Sequence, residues 1–362
     1  MDGKRVVIAM SGGVDSSVSA ALLVQQKYDV TGVMLRLWSE STTAESIANR
    51  CCTPDQMADA RRVARILGIP FYVLDARTAF YREIVKPFIT AYGQGVTPNP
   101  CLWCNRQIRF GWLLDHARAL GADFLATGHY ARTRRDDDGC VSLLKGSDLA
   151  KDQSYVLAFV TQSQLKHALF PVGEYTKSQV RGLAREFGLP TAGKADSQDL
   201  CFVADGDYRR FLMAHMPEIA RPGPIVNQRG EVLGEHRGLA YYTIGQRKGM
   251  RIAWMEPLYV LAIRPERNEL VVGTASELGS DRLTARNVNW IAGKPPAGPV
   301  RAGVKIRYKA VEAPALVTPI GDSDADVRFE APLRDITPGQ GAVFYDGDVV
   351  LGGGTIASLT AA

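Results

Sequence analysis

Two stretches of the chain place reactive side chains where a helix begins. In VVIAMSGGVDSSVSAALL, residues 6–23, an apolar run ending at Met10 breaks into Ser11, Gly12 and Gly13 and resumes as a helix-forming run. A turn of this kind between strand and helix presents unpaired backbone amides to an anion such as phosphate, with the helix dipole adding attraction. Gly12 and Gly13 let the backbone come close, and the hydroxyls of Ser11, Ser16 and Ser17 offer further donors. No lysine stands in the Gly-Lys-Ser/Thr order of a kinase-type phosphate loop. Asp15 would repel a phosphate unless a divalent cation bridged the two, which implies magnesium. For the glycine pair taken alone, a simple strand-to-helix turn is the alternative.

The second stretch, TPNPCLWCNRQIRFGWLLDHA, puts Cys101 and Cys104 in a loop that opens into a helix, with Arg106 and Arg109 within two turns. Helix dipole and arginines favour a thiolate. An ordinary cysteine is only about 3% ionised at pH 7, so a depressed pKa raises the nucleophilic fraction more than about tenfold. A structural zinc ion would need four ligands, and the sequence has one clear Cys-x-x-Cys. The six cysteines, at 51, 52, 101, 104, 140 and 201, are too few for a disulfide scaffold. Cys201, in the apolar LCFV, reads by itself as buried and inert.

These segments need a scaffold that brings them together. Up to about residue 205, short apolar strands (VVIAM, VTGVMLRLW at 30–38, IPFYVLD at 69–75, ADFLATGHY at 122–130) alternate with helices predicted near 54–67, 78–92 and 105–120, with Thr53 as a cap. That alternation predicts a parallel sheet covered on both faces, a Rossmann-like α/β domain over 1–205. A turn-rich stretch and a hairpin in LYVLAIRPERNELVVG suggest a small middle domain over 206–280. Regularly spaced short strands over 281–362 suggest a C-terminal β-barrel. The 362 residues, 46% hydrophobic and 22% charged, fit a soluble protein of two or three domains. A net charge of +5 permits a nucleic-acid partner without requiring one. No apolar run approaches the roughly 20 residues of a membrane span, and MDGKRVVIAMSGG has too short an apolar core for a secretion signal, so a cytoplasmic location is expected.

SGGVDSS matches the SGGxDS signature of the PP-loop ATP pyrophosphatases, which cleave ATP to AMP and pyrophosphate. With TPNPCLWCNRQIRF, ATGHYAR, KDQSYVL, ADSQDLCFV and TIGQRKG, in order and roughly in spacing, the chain resembles the bacterial tRNA-specific 2-thiouridylases over essentially its whole length. The resemblance implies ATP-dependent conversion of the 2-carbonyl of the wobble uridine to a thiocarbonyl in tRNAs for lysine, glutamate and glutamine. It implies that Ala9, Met10, Ser11, Gly12, Gly13, Val14, Asp15 and Ser16 bind the ATP phosphates, and that Leu35 and Gly128 contact the adenosine. Cys201 would carry the incoming sulfur as a persulfide from a donor protein, and Cys104 would release it, leaving a Cys104–Cys201 disulfide.

The same resemblance puts Asn99, Pro100 and Cys101 at the target base and His129 near the tRNA. Lys151, Asp152, Gln153, Arg307, Tyr308 and Gln340 would contact the rest of the RNA. Some family members have aspartate at the position of Cys101, and a thiol cannot simply replace a carboxylate as acid or base. With Cys101, Cys104 and Cys201 around one point, a [4Fe–4S] cluster with an open iron site is a second mechanism. The persulfide relay is preferred, because a cluster usually has four protein ligands. Two other functions compete: a PP-loop synthetase using an amine nucleophile, which would not need the cysteine pair, and a non-catalytic ATP-sensing tRNA-binding protein.

Overall fold

A computed structural model of the chain describes residues 3–40, 53–195 and 200–357. Cys51, Cys52 and residues 196–199, which belong to ADSQDLCFV, lie outside them. Strand β1 (Arg5–Ala9) is buried along VVI and runs into the glycine turn and helix α1 (Val14–Gln25). Nine of the twelve α1 residues are buried, so this helix is enclosed on almost every side. After β2 (Asp29–Arg36) comes α2 (Pro54–Leu67), whose ends are written locally. Thr53 and Gln56 form a reciprocal capping box, Pro54 opens the helix, and Gly68 closes it at φ +67°. Strand β3 (Phe71–Asp75) follows, and β4 (Phe124–Ala126) comes after two helical runs, 77–93 and 100–119.

The chain then leaves the sheet as a hairpin, β5 (Ala131–Arg135) and β6 (Val141–Lys145), before returning as β7 (Ala168–Leu169). The parallel sheet has the order β3-β2-β1-β4-β7. Both helical runs contain π-helical windings, at Tyr81–Val85 and Cys104–Leu113, where uninterrupted α-helix was expected. The predicted helix at 105–120 also starts earlier, at Pro100, because the Asn99 side chain accepts from the Cys101 amide at 3.1 Å and caps it there.

The middle unit pairs β8 (Gly223–Val226), β9 (Val232–His236), β10 (Tyr259–Arg264) and β11 (Glu269–Gly273) in the order β10-β11-β8-β9. It has its own small core of Ile225, Tyr242, Val260, Leu270 and Val272. The last part comprises β12 (Ser280–Trp290), β13 (Val300–Lys305), β14 (Ala313–Ile320), β15 (Asp324–Leu333), β16 (Gly341–Asp346) and β17 (Val349–Ile356). These strands are antiparallel in the order β12-β15-β14-β13-β16-β17, and β17 pairs back onto β12, which closes the barrel. Among the described residues no helix is long and apolar enough to cross a membrane.

The hairpin β5–β6 joins the two ends of the molecule. Leu144 and Leu143 of β6 pair with Val349 and Val350 of β17, so a segment from the α/β part extends the barrel sheet. One core runs through the seam, with Leu143, Tyr155 and Phe159 packed among Val343, Tyr345 and Val350. Leu143 is fully buried there, so Leu143→Ala should cost about 2–5 kcal/mol in urea unfolding of the full chain. A loss under about 0.5 kcal/mol would mean the seam is not a packed core.

Candidate active site

In a sheet of this order the chain leaves β1 toward β2 on one side and toward β4 on the other. The crevice beyond the carboxyl ends of β1 and β4 is the place where such sheets bind ligands. A cavity of about 230 Å³ lies there. Ala9, Met10, Val33, Met34, Leu35 and Leu37 form one wall, Ser11, Asp15 and Ser16 the floor, and Thr127, Gly128, His129, Arg109 and Gln153 the opposite wall. Nine residues expected at ATP or tRNA from the sequence therefore border one space: Ala9, Met10, Ser11, Asp15, Ser16, Leu35, Gly128, His129 and Gln153.

Two glycines set the shape of its floor. Gly12 sits at φ +73°, and a Cβ there would come within 2.3 Å of the Gln56 carbonyl oxygen at the start of α2. A Cβ on Gly128 would meet the Ser16 amide nitrogen at 2.7 Å, because the end of β4 presses on the first turn of α1. The serine hydroxyls behave differently from expectation. Ser17 is fully buried and donates to the Gly13 carbonyl at 2.7 Å, so it braces the turn and offers nothing to an anion. Ser16 Oγ accepts from the Ser11 amide at 3.2 Å and also shapes the turn, although Ser16 borders the cavity.

Asp15 already has a cation. Lys177 Nζ donates to its two oxygens at 2.7 and 2.8 Å, and the Tyr130 hydroxyl donates to Oδ1 at 2.7 Å. Lys177 opens the helix α3 (Lys177–Glu186), fixed by a Thr176/Gln179 capping box and by Asp148 Oδ2, which accepts from its backbone amide. Lys194 Nζ donates to the Gly12 carbonyl at 3.0 Å and pairs with Asp59. Sequence reasoning missed both lysines. The capping-box pattern TKSQ could have placed Lys177 at a helix start, but nothing local links either lysine to a loop more than 160 residues away. A magnesium ion on Asp15 would have to displace Lys177. Among the described residues no group of three or more His, Cys, Asp and Glu side chains is placed to hold a metal ion.

His129 and Arg109 form a locked pair. Arg109 Nη1 lies 3.2 Å from His129 Nε2 and donates to Asn105 Oδ1 at 3.0 Å, while Asn105 donates in turn to the Val156 carbonyl. A guanidinium only donates, so Nε2 is the acceptor and the ring proton resides on Nδ1, 2.7 Å from Thr127 Oγ1. Burial, and then the Arg109 charge, hold the His129 pKa well below the usual histidine value.

The cysteines separate by environment. The helix starts at Pro100, so Cys101, whose amide donates to the Asn99 side chain, lies in its first turn, and Cys104 is a turn further in. Cys101 is exposed, while Cys104 is buried in an apolar cluster with Phe80, Phe88, Phe202 and Phe211, against which Cys201 also packs. That shared cluster is what brings Cys104 and Cys201 into one neighbourhood. Arg106 turns away to lie over the Trp103 ring, 5.8 Å from its centroid, and its burial lowers its pKa.

The residues expected at RNA meet at the seam with the barrel. Gln340 Nε2 donates to the Thr97 carbonyl at 2.9 Å, clamping the loop that carries Asn99, Pro100 and Cys101. Tyr308, partly exposed, has its ring 6.0 Å from that of Tyr155, and its hydroxyl pKa is raised by burial and by nearby Asp152 and Cys101. Arg307 is exposed and pairs with Asp335 at 2.8 Å. Asp152, expected at RNA, lies inside the protein. It is buried, and its carboxylate accepts from the Gly146 and Ser154 amides and the Ser154 hydroxyl. Lys151 beside it is half-buried, and Gln153 accepts from the Tyr130 amide at the cavity wall.

Family models match three consecutive parts of the chain: tRNA methyl transferase HUP domain over 4–205, tRNA methyl transferase PRC-barrel domain over 209–274, and Aminomethyltransferase beta-barrel domain over 280–356. The chain is 51% identical over 354 residues to the tRNA-specific 2-thiouridylase MnmA of Moorella thermoacetica, covering 98% of this chain and 99% of that one. It is 50% identical over 353 residues to the protein of the same name from Magnetococcus marinus, covering 98% and 99%. The corresponding protein of Chloroflexus aggregans is 49% identical over 355 residues, 98% of each chain.

The depressed His129 pKa has a consequence for stability. Below about pH 6.5 the unfolded histidine takes up a proton that the folded site refuses, so stability falls as pH drops. For one such group the slope reaches about 1.4 kcal/mol per pH unit. His236, lowered mainly by burial, acts in the same direction. Between pH 7 and 5, urea unfolding of His129→Asn should show a shallower loss of stability than the parent; an equal slope would contradict the neutral assignment.

Proposed function

Because the chain belongs to the tRNA-specific 2-thiouridylase family, we propose that it replaces the 2-oxygen of the wobble uridine by sulfur in tRNAs for lysine, glutamate and glutamine, at the expense of ATP. The observation that carries this is the crevice cavity, walled by the SGGVDSS loop on one side and by Arg109 of the helical run 100–119 on another. ATP phosphates would lie over Gly12–Ser16, with the adenosine against Leu35 and Gly128. Magnesium would arrive with ATP and neutralise its phosphates, and Asp15 is the loop carboxylate available to it once Lys177 yields.

Attack of the uridine O2 on the α-phosphorus forms an O–P bond and expels pyrophosphate with its electron pair. The adenylate converts a poor leaving group into AMP. The terminal sulfur of a Cys201 persulfide, supplied by a persulfide-carrying donor protein in the cytoplasm, then adds to C2, and AMP leaves with the C2–O2 pair. Finally the Cys104 thiolate attacks the Cys201 sulfur, the bond to the transferred sulfur breaks toward the base, and a Cys104–Cys201 disulfide remains for an external thiol to reduce. The apolar cluster shared by the two cysteines supports this exchange by keeping water from the persulfide. A wobble base in a single-stranded loop can be splayed into the site without unpairing a duplex. Arg307, Tyr308, Lys151 and the Asn99–Cys101 turn would receive the surrounding RNA. Thiolation is favoured over the methyl transfer named in the family descriptions, because methyl transfer uses neither a phosphate loop nor a cysteine pair.

Mass spectrometry of tRNA nucleosides after incubation with ATP, magnesium and a persulfide donor tests the function directly: 2-thiouridine is expected, and its absence sinks the reading. Cys201→Ser should still release pyrophosphate while making no thiouridine, whereas Asp15→Ala should lose both. Normal thiolation by Cys201→Ser would remove the persulfide from that residue. Arg307→Ala should weaken tRNA binding and reduce the salt slope by about one ion, with ATP binding unchanged. An unaltered tRNA affinity would take Arg307 out of the interface.

A further inference from the structure

During adenylation and again during sulfur attack, negative charge collects on the oxygens of the α-phosphorus, and Lys194 is committed to Gly12 and Asp59. We propose that Arg109 is a catalytic residue whose guanidinium binds the α-phosphate of ATP and then of the adenylate. The inference rests on the 2-thiouridylase reading above and adds a residue to it.

Position is the first argument. Among the described residues that border the cavity, Arg109 is the cation, and it shares that space with Ser11 and Ser16 of the glycine turn. The second argument is winding. Arg109 lies five residues after Cys104 within the π-helical segment Cys104–Leu113. In an α-helix residues five apart point about 140° away from each other, whereas an i→i+5 turn brings them back toward one side. The unusual winding therefore turns Arg109 nearer the side of the helix that carries Cys104, whose apolar cluster shares Leu35 with the cavity.

Preorganisation is the third argument. Asn105 Oδ1 and His129 Nε2 both accept from Nη1 and hold the guanidinium plane, and both are neutral. A protonated His129 would offer no acceptor and would repel Arg109, and burial prevents that form. The fork is thus fixed before substrate arrives, the condition under which a cation stabilises developing charge most effectively. No proton or electron moves to or from Arg109. While the uridine O2–phosphorus bond forms and the bond to pyrophosphate breaks, it offsets charge on the non-bridging oxygens, and it does so again as AMP departs.

The test uses the full chain with tRNA, magnesium and each diastereomer of ATP carrying sulfur on the α-phosphorus, and follows pyrophosphate release. The parent enzyme should prefer one diastereomer by about tenfold or more. Arg109→Gln should lose about 100-fold in kcat, with the KM for ATP changed far less, and its diastereomer preference should collapse. Arg109→Lys should recover part of the rate without the preference, since a point charge replaces a planar fork. Circular dichroism and cooperative unfolding check the fold, and if the glutamine variant does not fold, the lysine variant decides by the same ratio. A variant that keeps the parent's diastereomer preference overturns the proposal alone. A parent enzyme that releases no pyrophosphate overturns the 2-thiouridylase reading and the proposal together.

Discussion

The contact on which the rest depends is the approach of the β4 end to the first turn of α1, where Gly128 leaves no room for a side chain against Ser16. It narrows the crevice between β1 and β4 and fixes the direction in which the first amides of α1 point. Gly12 makes the matching contact with α2 on the other side. Everything polar in the site is arranged around this backbone: the serines fold back to hold the turn, Lys177 balances Asp15, and the Thr127–His129–Arg109–Asn105 chain stiffens the far wall. The floor of the cavity is therefore shaped mainly by main chain, and the side chains set its charge.

Charge at the floor is finely divided. A carboxylate at the start of α1 suits the helix dipole but opposes a phosphate. Lys177, with its side chain only 11% exposed, offsets that carboxylate at close range and spares it the cost of burial without a partner.

Elements whose signals are local were legible in the sequence. The apolar runs of β1 and β2, the Thr53–Gln56 box and the Pro54 and Gly68 ends of α2, and the division into parallel-sheet, middle and barrel parts all follow from neighbouring residues. The phosphate turn and the cysteines were legible as chemistry. What was not legible depends on long-range packing. The pairing of β6 with β17, the arrival of Lys177 at Asp15 and the burial of Asp152 are set by surfaces far apart in sequence. The π winding escapes because the apolar positions Ile108, Phe110 and Leu113 read equally well as an ordinary helix face, and only the packed neighbours choose between them. Cys104 shows the same limit: its place in a turn was readable, but the start of the helix at Pro100 belongs to the Asn99 cap and leaves Cys104 a turn inside the helix.

Strand β17 divides its edges between two partners, β6 along Val349–Val350 and β12 along Gly352–Ile356. A barrel that swung relative to the crevice would have to unzip that ladder and open the core around Leu143 and Tyr345. The molecule consequently behaves as a fixed gauge, with the barrel-side Tyr308 and the crevice held at a set separation. Under the proposed function, adaptation on binding would fall to the RNA: a loop that is stiffer, or one base shorter or longer, would bear a larger deformation energy, and discrimination among substrates would arise from how readily each nucleic acid deforms, in addition to any contact with its bases.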